Sequence, residues 1–290
     1  MGRPFILYEE ADMSDLSPST STYQTYEMWS QAAIKALDES EIVYRRASSN
    51  PAMLAILEYL FSKRRVAFLP ICEPAPDRFL SIYESKIGGV PYLLPSESWP
   101  CNNGRGLTHL WQLRVRDLPA AVRQALGYSQ GLLQVFLSES LDEDEGKWYL
   151  VRVLDEGQIV YRDASEIVLP PDVNLLDQQR VTSFRCAYDF PLTEDALAAM
   201  PGGLDDGMAI YVINMLQEAG LYSTLPGDKL LGWPRWCQNP EWRLTDEGEA
   251  YVQLMQIEDS VAPFTVGTGT LLLQRHPTDR QQWDASWACC

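Results

Sequence analysis

Histidine is nearly missing from this chain: among 290 residues only His109 and His276 occur. That leaves little material for a histidine general base, and no G-x-S-x-G nucleophile motif accompanies them. The six cysteines, Cys72, Cys101, Cys186, Cys237, Cys289 and Cys290, are scattered, and none of the spacings that hold zinc occurs. They read as buried or idle thiols, with no metal site and no cofactor expected. Positive charge is also short, with 23 Lys and Arg against 40 Asp and Glu and a net charge of −17. Such a chain repels nucleic-acid phosphates, so direct nucleic-acid binding is excluded. No apolar run approaches the roughly 20 residues that span a bilayer, so no membrane partner is expected. The opening "MGRPFILYEEADM" has no basic region followed by a long apolar one, hence no secretory signal. It begins like a myristoylation site, but Ile6 stands where Ser or Thr is needed. The cytoplasm is the expected location.

The negative charge is concentrated. Residues 139–218 hold 17 acidic and 5 basic side chains. A surface like this attracts a cationic protein and speeds the encounter; the plainer reading is solubility. Its sharpest feature is "LSESLDEDEGKW" (137–148), either a solvated hairpin loop or a docking surface.

The order of patterns predicts an α+β fold. Residues 22–38 have apolar residues at helical spacing. Residues 50–65 form a clearer helix, with Asn50 to cap it, Pro51 at the first position, and Met53, Leu54, Ile56, Leu57, Leu60 and Phe61 on one face. A proline-rich link follows, so residues 1–78 read as an N-terminal helical segment. From 79 to 290 the texture changes to short β-prone runs between Gly, Pro, Asn and Asp. Strands are expected at 107–115, 131–137, 180–190, 251–257 and 269–275, and a hairpin around "DEG" at 147–163. Short and longer helices are expected at 119–127 and 205–220, the latter opened by acids and closed by a glycine.

One phrase occurs twice. "SKIGGVPYLLPSESWP" (85–100) and "DKLLGWPRWCQNPEW" (228–242) match at Lys86/Lys229, Gly89/Gly232 and Pro91/Pro234. A glutamine follows each lysine at nearly equal distance, Gln112 in "HLWQL" and Gln256 in "QLMQI", and a glycine-led apolar strand follows each glutamine. Self-similarity at one large spacing marks a duplicated unit. Mainly antiparallel sheet units, internally duplicated with halves at about 79–140 and 222–290, are therefore expected behind the helical preface. Two readings of the repeated polar residues stand. A glutamine inside an apolar strand must have both ends of its amide bonded, so it can staple a turn to the sheet. Alternatively the two copies face each other across a cleft where Lys86, Trp99, Gln112, Lys229, Trp236 and Gln256 meet a small molecule.

The two phrases, with "GLLQVF" and "GTGTLLLQ", resemble the YwqG-like family, a bacterial domain of unknown function, over about residues 80–290. Leu231 departs from a second glycine there, and Val266 and Thr268 replace the tryptophan and aspartate of a late "WGD-x-G" stretch. The resemblance implies an α+β duplication without an assigned enzymatic activity. It also implies occurrence near secreted polymorphic toxins.

Remaining motifs have plain readings. "GGLDDG" (202–207) lacks the P-loop lysine and opens an acidic helix. Adjacent carboxylates in polar loops are usually solvated rather than catalytic. The sequence therefore points to a non-enzymatic immunity protein that occludes the active site of a cationic, nucleic-acid-directed toxin. Asp142, Glu143, Asp144, Glu145, Asp205 and Asp206 are the expected contacts. An enzyme or small-molecule binder using the repeat cleft is the alternative.

Overall fold

The computed structural model describes residues 25–39, 47–75, 81–138, 148–237, 239–258 and 269–289. Two helices come first, α1 (Tyr26–Glu39) and α2 (Pro51–Ser62). Asn50 caps α2 by accepting from the Ala52 and Met53 N–H groups at 3.1 and 3.5 Å, and Pro51 opens it. Ile56, Leu57, Leu60 and Phe61 are buried as their spacing predicts, while Met53 and Leu54 pack at the edge.

The chain then enters a sheet earlier than expected. Residues 65–74, placed by sequence in the helical segment and its proline-rich link, form the long strand β1 (Arg65–Pro74). Val66, Phe68, Leu69 and Ile71 suit a strand, and the two prolines do not prevent it. β1 pairs with a second long strand, β8 (Gln179–Asp189), along its whole length. On its other side, β9 (Lys229–Leu231) covers Ala67 and Phe68 alone. Pro70 and Pro74 lie beyond that stretch, so on the β9 side a missing N–H interrupts no ladder.

The other strands are β2 (Lys86–Ile87), β5 (Thr108–Arg114), β6 (Leu132–Leu137), β7 (Tyr149–Leu154), β10 (Val252–Ile257), β11 (Gly269–Arg275) and β12 (Trp283–Cys289). A small separate ribbon joins β3 (Cys101–Asn102) to β4 (Arg105–Gly106). The ten-stranded sheet runs β12-β11-β10-β9-β1-β8-β2-β5-β6-β7, with every pairing antiparallel. Outward from the central β1·β8 pair, each side presents the same series: a short strand bearing the repeated phrase, the strand bearing the glutamine, and two more. The sheet curls until its edges approach, where the Tyr149 hydroxyl in β7 donates to Trp283 O in β12 at 2.9 Å.

Inside the curl, Trp111, Leu113, Leu133 and Val135 from one side share a single core with Leu254, Met255, Leu271 and Leu273 from the other. The short helix α3 (Ala120–Leu126), closed by Gly127 at φ 74°, adds Val122, Ala125 and Leu126. A second core lies in the helical layer, where α1 and α2 pack on α4 (Thr193–Ala198) and α5 (Asp206–Glu218). Within this layer Trp29 Nε1 donates to Leu221 O and the Tyr59 hydroxyl to Ala196 O, at 2.9 and 2.6 Å. The architecture is α+β with a mainly antiparallel sheet.

The expected hairpin at 147–163 is a correction. Its first arm is β7, but residues 159–163 form no strand. The Val160 N–H and carbonyl both bond the Tyr92 hydroxyl, at 3.1 and 3.3 Å. Tyr83 accepts from Arg162 N, and Arg162 Nη1 donates to Leu93 O and Leu94 O at 3.0 and 2.9 Å. These pegs replace a ladder. The idle-thiol reading is also corrected at one position: Cys237 is disulfide-bonded. Cys72, Cys101 and Cys186 are free.

Candidate functional site

Each repeated phrase makes one tight turn. Gly88 and Gly89 adopt φ of 68° and 63°, and Leu231 and Gly232 adopt 59° and 78°. The left-handed conformation costs a leucine about 1–2 kcal/mol, so the position that departs from glycine keeps the glycine's shape. A Cβ at Gly88 would lie 2.7 Å from Asp177 O, and one at Gly232 would overlap Asp189 Oδ2.

The glutamines then fasten the turns. Lys86 pairs with Gln112 across β2·β5, and Lys229 with Gln256 across β9·β10. Gln112 Nε2 donates to Ile82 O and Glu84 O at 2.7 and 3.0 Å, and its Oε1 accepts from Tyr92 N at 2.8 Å. Gln256 Nε2 donates to Leu225 O and Gly227 O at 3.3 and 2.9 Å, and its Oε1 accepts from Arg235 N at 2.9 Å. The partners stand at the same offsets from each lysine. Each strand also has a bulge at the same place, between His109 and Trp111 and between Gln253 and Met255. All four polar residues are at most 1% exposed.

The six residues proposed to line a shared cleft are not brought together. β1 and β8 separate β9 from β2, roughly 14 Å across three strand spacings. Trp99 lies against Phe136 in one satellite cluster and donates to Leu107 O at 2.7 Å. Trp236 lies against Trp242 near the helical layer.

Each phrase sits in its own polar network. In the first half a polar row crosses the sheet in register, from Lys86 through Gln112 and Gln134 to Arg152. Gln134 Nε2 donates to Gln112 Oε1 at 2.9 Å, Arg152 Nε to Gln134 Oε1 at 2.9 Å, and Arg152 pairs with Glu97. In the second half, Lys229 Nζ lies 2.8 Å from Asp189 Oδ2, both fully buried. Asp189 also accepts from Leu225 N and Trp233 N, both at 2.7 Å. Burial pushes its carboxyl up; the ammonium and the two N–H groups oppose that. Nearby, buried Asp195 accepts from the indoles of Trp236 and Trp242 at 2.9 and 2.8 Å, and burial raises it as well. Arg65 stacks 3.6 Å over the Trp233 ring.

His109 is fully buried beside the first turn. Its Nδ1 lies 3.1 Å from both Gly88 O and Gly89 O. Two carbonyls can only accept, so Nδ1 carries the proton of a neutral ring. Burial, with the Lys86 charge, pushes its pKa down to about 3. Among the described residues no group of three His, Cys, Asp or Glu is placed to hold a metal.

The expected acidic contacts fall in two places. Asp142, Glu143, Asp144 and Glu145 lie outside the described residues. Asp205 and Asp206 are exposed at the start of α5, where Asp205 is the cap, accepting from Met208 N at 2.6 Å. Within the acidic stretch 139–218, the long β7–β8 connection is a further exposed segment, with Asp155, Asp163, Glu166, Asp172 and Asp177. Its charge count was visible; its exposure was not. The counter-ions Asp189 and Asp195 were also missed. The one available signal was a lone acid in the apolar run "CAYDFP", where a strand's end meets a lysine needing a partner.

A family model matches residues 85–283, about two thirds of the chain. The chain belongs to DUF1963, a domain of unknown function. No curated protein matches it significantly. The DUF1963 match begins at the first phrase, so it leaves out β1, although β1 is central to the sheet. No described helix is long and apolar enough to cross a membrane.

Proposed function

We propose that this DUF1963 chain is a cytoplasmic bacterial immunity protein of the YwqG-like kind, which binds a cationic protein toxin and occludes its active site. The observation that carries the reading is the sign of the exposed charge. Between residues 148 and 218, Asp155, Asp163, Glu166, Asp172, Asp177, Asp205 and Asp206 are all exposed. Two of the four arginines there, Arg152 and Arg162, are turned into hydrogen bonds with the chain itself. Arg180 and Arg185 are exposed, so the stretch is predominantly, not wholly, negative; a surface of predominantly one sign steers an oppositely charged partner and makes association depend on salt. Occlusion rather than catalysis is supported by the polar core: Gln112 and Gln256 use both ends of their amides on backbone groups. Lys229 is spent on Asp189.

The same reading includes an internal duplication. The matched turns, glutamine bonds, bulges and mirrored strand order support it. On this reading each unit begins one strand before its phrase, at β1 and at β8.

Coexpression with the proteins encoded beside the chain tests the function. A cationic neighbour should be toxic alone, neutralised in the pair, and bound with an on-rate that falls as salt rises. Reversing Asp142–Glu145 and Asp205–Asp206 to lysine should slow association. A harmless neighbour, or an on-rate indifferent to salt and to those reversals, overturns the proposal.

A further inference from the structure

The β7–β8 connection exposes apolar side chains that the fold does not need to expose. Tyr161 is 86% and Val168 83% exposed, and Val160 and Leu169 are partly exposed, at 49% and 38%. Isolated exposed apolar residues are ordinary, but four within ten residues form a patch that calls for a cover. The segment is not loose. Tyr83 and Tyr92 hold Val160, and Arg162 holds the carbonyls of Leu93 and Leu94. Arg162 Nη2 also donates to Glu166 O at 3.0 Å, and Asp163 and Glu166 close a capping box around residues 164–166. Residues 160–161 and 168–169 thus stand on the two arms of one braced turn. Ile167 points the other way, into the satellite cores.

The rim decides the partner's chemistry. The charged groups between residues 155 and 177 are six carboxylates and one guanidinium, Arg162, which is bonded inward. The exposed charge of the connection itself is therefore of one sign; the basic groups that border it are Arg116, which pairs with Glu156 at 3.7 Å, and Arg105, next to the Gly106 N–H that donates to Asp172. A second copy of this chain would bring the same carboxylates against themselves, and an anionic lipid surface would be repelled.

We propose that the braced turn at residues 160–169 is the docking surface for a protein whose apolar anchor is ringed by lysine and arginine. An apolar centre with a charged rim is the arrangement in which a few central side chains carry most of the affinity. The proposal takes the partner's charge from the reading above, but the patch is an independent observation.

The test uses the full chain and three fluorescein-labelled peptides: an amphipathic helix of lysine and leucine, a lysine–serine analogue, and a glutamate–leucine analogue. The lysine–leucine peptide should bind tightest and protect residues 159–169 from hydrogen exchange. The double variant Y161S/V168S should bind it about tenfold more weakly, with its melting temperature and its binding of the lysine–serine peptide unchanged. If the double variant binds the lysine–leucine peptide like the parent while both cationic peptides still bind, the docking surface is refuted and the electrostatic reading survives. If neither cationic peptide binds, both fall. A parent that sediments as a dimer and a variant that sediments as a monomer would make the patch a self-interface and overturn the proposal.

Discussion

His109 should make the protein lose stability on mild acidification. The ring is neutral and fully buried, with Nδ1–H shared between Gly88 O and Gly89 O. Its folded pKa, about 3, lies well below the 6.5 of an open imidazole. The unfolded chain therefore takes up a proton that the folded chain refuses. Stability from this group is complete above pH 6.5 and declines as pH falls from 6.5 toward 3. Each unit in that window is worth about 1.4 kcal/mol, so moving from pH 7.5 to 5.5 should cost about 1.4 kcal/mol through this side chain alone. Carboxylates also titrate toward the lower end, so the parent must be compared with a variant. Asn places an N–H where Nδ1–H stands, and H109N retains the bond to the turn without the titration. Urea unfolding at both pH values gives the two differences. The parent should lose about 1.4 kcal/mol more than H109N. Parallel losses would show that the ring is protonated in the fold or reaches water, and the account of the first turn would be wrong.

Other consequences follow from the same contacts. Gln112→Ala strands Tyr92 N and the Ile82 and Glu84 carbonyls, and Gln256→Ala strands Arg235 N and the Leu225 and Gly227 carbonyls; each should cost about 2–4 kcal/mol in chemical denaturation. Similar losses are expected, and a near-neutral result at either site would return that glutamine to the ligand reading. Lys229→Met leaves Asp189 buried without its counter-ion and should cost about 3–5 kcal/mol, read by the same method. Asp195→Asn keeps one acceptor for two indoles, so one tryptophan N–H loses its partner at about 1–3 kcal/mol, measured as a shifted melting temperature. Gly232→Ala should cost more than Gly104→Ala, because the first Cβ overlaps Asp189 Oδ2 and the second meets nothing within 4 Å, although both backbones are left-handed.

The sequence was legible where a local rule and the packing agreed. Asn50-Pro51 opens α2, Asp205 opens α5, and Gly127 closes α3, because caps are decided within a few residues. The two lysine phrases were legible as turns because only a few residue types tolerate positive φ. β1 was not, because its prolines argue locally against a strand; what permits them is the short reach of β9, a fact of the assembled sheet. The false second hairpin arm at 159–163 has an alternating pattern like a strand's, but Tyr83, Tyr92 and Arg162 claim its backbone from distant parts of the chain. Asp189 and Asp195 were invisible for the same reason. A buried carboxylate is recognised by its donors, and these come from residues 36 to 47 positions later.

The polar side chains of the sheet are committed to holding the fold. A ligand that used Gln112 or Gln256 would have to break bonds holding the turns in place, and each broken bond leaves a buried backbone group without a partner. The same holds for Lys229, whose ammonium is shared between Asp189 Oδ2 and Leu225 O at 2.8 and 2.7 Å. The β7–β8 connection has the opposite character. Its inward side chains, Arg162 and Ile167, fix its shape, and its outward ones, Tyr161 and Val168, are not needed for that shape. They can change without cost to the fold, which is the condition for one scaffold to serve different partners.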